Sequence, residues 1–296
     1  MSNIELAKPR DFGEIINDTF IFIRQNFKPL LKYFFIFSGF FILASATTSV
    51  LMQIKTINVV NNYNPSRFDN GLSAFSYLTV NVLLAVIFIL VEYVSITVTV
   101  LCYVALYKQK QNNVPTVDEM WGYFKFYFLK VLGSTVLIYI IVVVGCIFCL
   151  IPGIYLYPIM ALVLPIMVIE NTSLGYAFNQ SFRLIKDNWW PTFGVLIVIA
   201  IVIYVASLVV VIPSTILNAG NLFIRITKGA APVTLPVAIL STLLQEVSHV
   251  FHIITIVAIC LCYFNLSESK EGTSLIERIN KFGTNANDAN ATPEEY

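Results

Sequence analysis

Residues 173–191 read SLGYAFNQSFRLIKDNWWP, and a long apolar run follows them directly. Residues 12–29, FGEIINDTFIFIRQNFKP, align with residues 174–191 without a gap. Six positions are identical in the two segments, namely Gly13 with Gly175, Asn17 with Asn179, Phe20 with Phe182, Ile23 with Ile185, Asn26 with Asn188 and Pro29 with Pro191. Apolar residues recur at helical spacing in both. The repeat therefore predicts a chain built from units of an interfacial helix and a membrane hairpin.

The composition indicates a polytopic membrane protein. Of the 296 residues, 57% are hydrophobic and 12% are charged, whereas a soluble domain carries about 25% charged residues. Several apolar runs reach about 20 residues, which is the length that crosses a bilayer. All five cysteines lie inside apolar runs, which favours packing between helices over a disulfide framework. The net charge of +1 implies no general attraction to nucleic acid.

The predicted fold class is all-α, with six membrane helices in three hairpins. The helices are predicted at residues 29–52, 77–107, 126–150, 154–169, 192–212 and 236–265. Pro152 and Gly153 are expected to break the chain between the third and fourth helices, because Pro-Gly is a strong turn signal. An Asn-rich segment, residues 53–76, is expected to form an exposed loop.

A cytoplasmic amphipathic helix is predicted to precede each hairpin and to lie in the membrane interface. The first begins at a capping pattern, Asp11 with Glu14, and the second begins at Thr116 with Glu119. The second copy matches the other two loosely. The twofold repeat is therefore stronger than the threefold one.

The chain is predicted to form one integral membrane domain, residues 1–283. Its repeat units are 10–107, 115–170 and 173–266, with a tail helix at 275–282. Residues 284–296 are too polar to fold alone and are expected to be disordered. The start of the chain is polar and amphipathic, so no removable signal peptide is expected.

The distribution of basic residues predicts the topology. With six crossings, fourteen of the 18 lysines and arginines lie on the side that carries both termini. Basic loops face the cytoplasm. We therefore expect a multi-pass protein of the bacterial cytoplasmic (inner) membrane with both termini in the cytoplasm.

Residues 151–194 read IPGIYLYPIMALVLPIMVIENTSLGYAFNQSFRLIKDNWWPTFG. This pattern resembles the membrane domain attached to some bacterial glycerophosphoryl diester phosphodiesterases, and the related free-standing six-helix proteins. The residues that carry the resemblance are Pro152, Gly153, Glu170, Gly175, Ala177, Ser181, the stretch from Arg183 to Lys186, Asn188, Trp189, Trp190, Phe193 and Gly194, and Pro191 belongs to the same structural motif. The phosphodiesterase chemistry of that family belongs to a separate soluble barrel domain, for which this chain has neither length nor composition. The resemblance therefore implies a fold and a membrane location, not hydrolysis.

Four ionisable residues fall at membrane depth, where charges are costly and mark candidate sites. Glu92 lies in the second predicted helix, and Glu246, His249 and His252 lie in the sixth. Three interpretations stay open: a polar contact between these helices, a protonatable site for transport or for a lipid headgroup, and a metal site, since Glu-x-x-His is a metal-ligand spacing. No cofactor or metal is predicted, and no catalytic residue is assigned.

Basic residues of the amphipathic helices are candidate lipid-headgroup contacts. They are Lys28, Lys125, Arg183 and Lys186. Near acidic headgroups each contributes about 1 kcal/mol, and ordinary positive-inside anchoring accounts for the same residues. The chain contains no nucleotide-binding or hydrolase motif.

The first functional prediction is a non-enzymatic inner-membrane protein, acting as a scaffold or in membrane and lipid homeostasis. Its expected partners are membrane lipids and proteins on the cytoplasmic face, without nucleic acid. One alternative is a small transporter or lipid-handling protein that uses the Glu/His cluster. The other is an intramembrane metalloenzyme. The sequence does not define an oligomeric state.

Overall fold

The computed structural model of the protein describes residues 4–62, 68–148, 150–228 and 235–272. The predicted tail helix and disordered tail lie outside these described residues. Within them the chain is helical and contains no β-strand. The helices are α1 (Phe12–Tyr33), α2 (Gly39–Asn62), α3 (Phe68–Gln109), α4 (Val117–Phe148), α5 (Leu150–Ile169), α6 (Leu174–Ile185), α7 (Trp189–Lys228), α8 (Leu235–Ser248) and α9 (His252–Glu271). A π-helical turn (Phe34–Ser38) joins α1 to α2, and a 3-10 turn (His249–Phe251) joins α8 to α9.

Six helical segments in the described part of the chain are long and apolar enough to cross a membrane. They are Phe12–Lys55, Val82–Gln109, Val117–Ile147, Ile151–Ile169, Trp189–Ile216 and Ile239–Glu271. The predictions of an all-α class and of a multi-pass membrane protein are therefore confirmed.

The predicted caps define the starts of α1 and α4. In α1, Asp11 Oδ1 accepts from the Glu14 backbone N–H at 2.7 Å, and Glu14 Oε2 accepts from the Asp11 N–H at 3.1 Å. At α4, Glu119 Oε2 accepts from the Thr116 N–H at 2.6 Å. These bonds satisfy donors that the first helical turn leaves free. Both predicted capping pairs are thus confirmed.

The first amphipathic segment runs directly into the first membrane helix, where the sequence analysis predicted two separate helices. Helix α1 continues through Pro29 and kinks at Asn26, whose φ is −108° and ψ is 16°. Proline cannot donate to the preceding turn. The Asn26 side chain donates to the Phe22 carbonyl at 3.0 Å and accepts from the Tyr103 hydroxyl at 2.7 Å. Tyr103 belongs to α3, so a hydrogen bond from α3 stabilises the kink in α1.

The break between α4 and α5 falls before Pro152 and Gly153, which the sequence analysis had placed in the turn. Helix α5 begins at Leu150, so Pro152 lies in its first turn, where a missing N–H costs nothing. Gly153 faces α4, and a Cβ atom added to it would lie 3.1 Å from the backbone N and Cα of Cys146. Gly153 thus acts as a small residue that lets two membrane helices approach closely.

We expect Gly153→Ala to destabilise the protein by about 1–3 kcal/mol, because the added methyl group overpacks the α4–α5 contact. Gly133 is the matched control, since no described atom lies within 4 Å of the Cβ that would be added there. Gly133→Ala should stabilise α4 by up to about 1 kcal/mol through the lower backbone entropy of alanine. Thermal unfolding in detergent measures both effects. Equal shifts of the same sign would contradict the close approach.

Other helix ends extend beyond their predicted limits. Most of the loop predicted at residues 53–76 is helical, because α2 continues to Asn62 and α3 begins at Phe68. Helix α7 passes through Pro213, where a loop was predicted, and ends at Lys228. Near this proline, Ser214 Oγ donates to the carbonyl of residue 211 at 2.7 Å.

The buried core is centred on α3 and α9. Helix α3 packs against α2, α4, α5 and α9, and α9 also packs against α1, α5 and α7. Every residue of α3 from 94 to 107 is buried. Glu92 lies just before this buried stretch, so the fold places a carboxyl group inside α3 at the edge of its buried part.

Candidate intramembrane polar site

The structure brings Glu92 and His249 into direct contact. Glu92 lies in α3 and is 1% exposed, and His249 opens the 3-10 turn between α8 and α9. His249 Nδ1 lies 2.5 Å from Glu92 Oε1. The two residues are 157 positions apart in the chain. The contact between the second and sixth predicted helices is therefore polar at this depth.

The 3-10 turn directs His249 towards α3. The sequence analysis predicted one continuous helix over residues 236–265, but the chain tightens at His249–Phe251. The His252 N–H is accordingly shared between the carbonyls of His249 and Val250. A stretch of 3-10 helix inside a helix often marks a functional position. Here the turn carries His249, the residue that contacts Glu92.

Glu246 completes a group of three. Its Oε2 lies 3.2 Å from His249 Nδ1, one turn further along the chain. Two carboxyl groups therefore converge on a single imidazole nitrogen. One donor atom from each of Glu92, Glu246 and His249 lies within 4.8 Å of the other two. This is a spacing at which one metal ion reaches all three.

Each of the two carboxyl groups has a buried oxygen, Oε2, that can accept a further bond. Glu92 Oε2 is buried, and no described residue forms a hydrogen bond with it. Glu246 Oε2 is also buried, and its contact with His249 is the 3.2 Å approach to Nδ1 described above. An unsatisfied buried carboxylate oxygen is costly. The arrangement therefore has capacity to bind a further group.

His252 is not part of this group. Its ring packs edge-on against Tyr93, with 5.6 Å between the ring centroids, and its centroid lies 5.8 Å from that of His249. It lines the same small cavity of about 60 Å³ as Glu92, Tyr93 and His249. Of the four predicted cluster residues, three converge and His252 lies beside them.

A larger cavity of about 150 Å³ lies between α3, α4, α5 and α9. It shares Tyr93 with the small cavity, so the two lie side by side. Its walls are mainly apolar, but they include the hydroxyl groups of Thr97, Thr135 and Thr255. Thr135 Oγ1 is buried and has no hydrogen-bond partner among the described residues. The sequence analysis did not predict this cavity, since its lining comes from four separate helices.

The four basic candidates have different surroundings. Lys28 and Lys186 are exposed, and Lys125 is exposed with its Nζ 5.7 Å from the centroid of the Trp121 ring. Arg183, in contrast, pairs with Glu271 at the end of α9. Arg183 thus ties α6 to α9, and the other three present their charge at the surface.

The motif residues at 170–191 join α5, α6 and α7. Glu170 Oε1 accepts from the Tyr263 hydroxyl at 2.8 Å, and burial raises the pKa of this carboxyl group. Trp189 Nε1 donates to the Tyr155 carbonyl at 3.0 Å. Asn188 accepts through its carbonyl from Thr192 Oγ1 at 2.8 Å. Of the other motif residues of this segment, Gly175, Trp190 and Pro191 are exposed, whereas Ala177 and Ser181 are buried.

A buried ion pair near the start of the chain was not predicted. The Arg10 side chain is fully buried, and its Nε donates to Asp18 Oδ2 at 2.9 Å. Its two terminal nitrogens donate to the carbonyls of Glu5, Leu6 and Lys8. The sequence placed Asp18 off the apolar stripe of its helix. No local pattern in the sequence signals that this polar position is covered by residues 4–10.

Comparison with known proteins found no similar protein. No family model matches the chain, no curated protein matches it, and no solved structure matches it.

Proposed function

We propose that the protein binds an apolar chain of a membrane-derived amphipathic molecule within the bilayer, as a lipid-handling protein or small transporter. The observation that carries this proposal is the cavity of about 150 Å³ inside the helix bundle. An apolar cavity of about this size holds one benzene ring. It therefore fits a segment of an acyl or isoprenoid chain rather than a whole lipid.

The walls and rim of the cavity support this ligand class. Apolar side chains favour a hydrocarbon chain, and the unpartnered Thr135 hydroxyl can bind a hydroxyl or ester oxygen. Tyr139 and Tyr157 lie at the rim and are 47% and 46% exposed. The cavity thus opens on the side of the bundle. In a bilayer this side faces lipid chains, so the ligand enters laterally.

We further propose that the six spans form three hairpins, each preceded by a cytoplasmic interfacial helix, in a bacterial inner membrane with both termini in the cytoplasm. Equivalent positions of the two repeated segments support the repeat, since Thr19 and Ser181 are both 0% exposed, as are Phe22 and Leu184. The bias of fourteen among 18 basic residues supports the orientation. The resemblance to the phosphodiesterase membrane domain likewise stays a proposal.

A structural scaffold is the second candidate function. It is favoured by the direct contact between Glu92 and His249, which joins two distant spans. A membrane protein that organises partners needs such polar contacts to define its helix arrangement. In this case the exposed Lys28, Lys125 and Lys186 contact lipid headgroups.

A photo-crosslinking experiment tests ligand binding in the cavity. The full chain is reconstituted in phosphatidylethanolamine and phosphatidylglycerol vesicles that contain a phospholipid with a diazirine in its acyl chain. We expect crosslinks on the cavity-lining residues Met160 and Thr255. Ala161→Trp should lower them about tenfold, because the indole fills the space of the chain and costs at least about 1.4 kcal/mol of binding.

The matched control is Ala200→Trp, which adds the same side chain at an exposed position of α7. It should leave the crosslinks at Met160 and Thr255 unchanged. If the unmodified chain carries no more crosslinks at these two residues than the Ala161→Trp variant, the cavity binds no lipid chain and the scaffold becomes the better proposal.

A further inference from the structure

We propose that Glu92, Glu246 and His249 bind one divalent transition-metal ion, and that zinc is the metal that suits them best. The three donor atoms come from α3, α8 and the 3-10 turn, and they lie within 4.8 Å of one another. Binding of this ion does not depend on the lipid ligand proposed above. It selects the metal site from the three interpretations that the sequence left open for these residues.

The donor set selects the kind of metal. One imidazole nitrogen and two carboxylate oxygens are ligands that zinc takes at about 2.0–2.2 Å. Imidazole suits zinc, copper, iron and nickel, whereas magnesium and calcium prefer oxygen ligands only and more of them. The soft ligands that copper(I) prefers are absent from this group of three residues. Zinc is thus the expected occupant.

The geometry requires a small adjustment around the ion. In a tetrahedral zinc site neighbouring donor atoms lie about 3.3 Å apart. The distance between His249 Nδ1 and Glu246 Oε2 is already 3.2 Å. The distance between His249 Nδ1 and Glu92 Oε1 is 2.5 Å and must widen by less than about 1 Å.

An independent observation also points to a ligand. Glu92 is 1% exposed, and no atom in the described part of the chain bonds to its Oε2. A carboxylate at membrane depth is costly unless a cation neutralises it. A metal ion would satisfy this oxygen and the second carboxylate at the same time. Neither carboxyl group has a lysine or arginine as its ion-pair partner among the described residues.

The surroundings leave room for a fourth ligand. The adjacent cavity of about 60 Å³ is lined by Glu92, His249, Tyr93 and His252 on its polar side and by Ile89 and Ile96 on its apolar side. A polar cavity above about 15 Å³ can hold a water molecule. Three protein ligands and one water are the usual set of an open zinc site. His252 lines this cavity but is not one of the three donors.

The test measures zinc content of the detergent-purified full chain, prepared with a tag that contains no histidine. The protein is stripped with a chelator, dialysed against zinc and analysed by mass spectrometry of the metal. We expect about one zinc ion per chain. Glu92→Gln and His249→Gln should each weaken zinc binding by more than about tenfold. Zinc should raise the Tm of the unmodified chain and not that of these variants.

The matched control is His252→Gln, which makes the same change at the other histidine and should keep the bound zinc. Glu246→Gln removes the third donor and should also weaken zinc binding by more than about tenfold. Less than about 0.1 zinc per folded, unmodified chain would overturn the proposal. Equal losses in His249→Gln and His252→Gln would overturn it as well. Crosslinking of lipid in the cavity is measured separately, so either proposal can fail without the other.

Discussion

Replacing Arg10 with alanine is expected to lower the free energy of unfolding by about 3 kcal/mol, because the change leaves the buried Asp18 carboxylate without its ion pair to Arg10. The Arg10 side chain is fully buried, and that of Asp18 is 11% exposed. Lys8 Nζ lies 3.2 Å from the same carboxylate oxygen and remains after the change. The expected loss is therefore at the lower end of the range for broken buried pairs. Arg10 also holds three backbone carbonyls, which lose their donor.

Unfolding of the purified protein in mixed detergent micelles measures this loss. Arg24→Ala is the matched control, because Arg24 is exposed in the same region of the chain and should change stability by less than about 0.5 kcal/mol. Asp18→Asn should also destabilise the protein, since it removes the charge that Arg10 binds. A loss in Arg10→Ala as small as that in Arg24→Ala would mean that residues 4–10 do not pack on α1 as described.

His249→Leu is expected to cost about 2 kcal/mol of stability, because it leaves the buried Glu92 carboxyl group without its donor. Glu92→Leu should cost a similar amount by removing the other half of the contact. The variant with both changes should be more stable than the sum of the two losses predicts, by about 1–2 kcal/mol. Apolar residues in both positions pack against each other, so neither half of the Glu92–His249 contact is left buried without the other; Glu246 loses its contact with His249 both in His249→Leu and in the double variant.

This double-mutant cycle is measured by unfolding in the presence of a chelator, so that no metal ion contributes. The control cycle combines Glu92→Leu with His252→Leu, since His252 packs against Tyr93 and forms no hydrogen bond to Glu92 in the described part of the chain. Its coupling should be less than about 0.5 kcal/mol. Additive losses for Glu92 and His249 would show that the contact does not stabilise the helix arrangement.

Part of the candidate site was predictable, because a charge at membrane depth stands out in any apolar sequence. Glu92, Glu246, His249 and His252 were all found in this way. Their roles were not, since the choice of His249 over His252 depends on the 3-10 turn at His249–Phe251. No proline or glycine marks this turn. The sequence alone therefore favoured a continuous helix.

At Pro152 and Gly153 the sequence predicted a break, whereas the structure places both residues inside a helix. A Pro-Gly pair is typical of a turn, yet both residues lie in the first turn of α5. Gly153 is needed for its size, because the backbone of Cys146 approaches it across the α4–α5 contact. A glycine required by close packing and one required by a turn look alike in a sequence. Only the position of the neighbouring helix distinguishes them.

The sequence by itself determined the all-α class, the six spans and the caps at Asp11 and Thr116, because apolar periodicity, bilayer length and capping are properties of short segments. The tertiary structure decided which polar groups meet. Glu92 and His249 are 157 positions apart, and Arg10 reaches Asn265 across 255 positions. Such contacts depend on how helices cross and where they kink. These angles result from the packing of many side chains together, which no local pattern encodes.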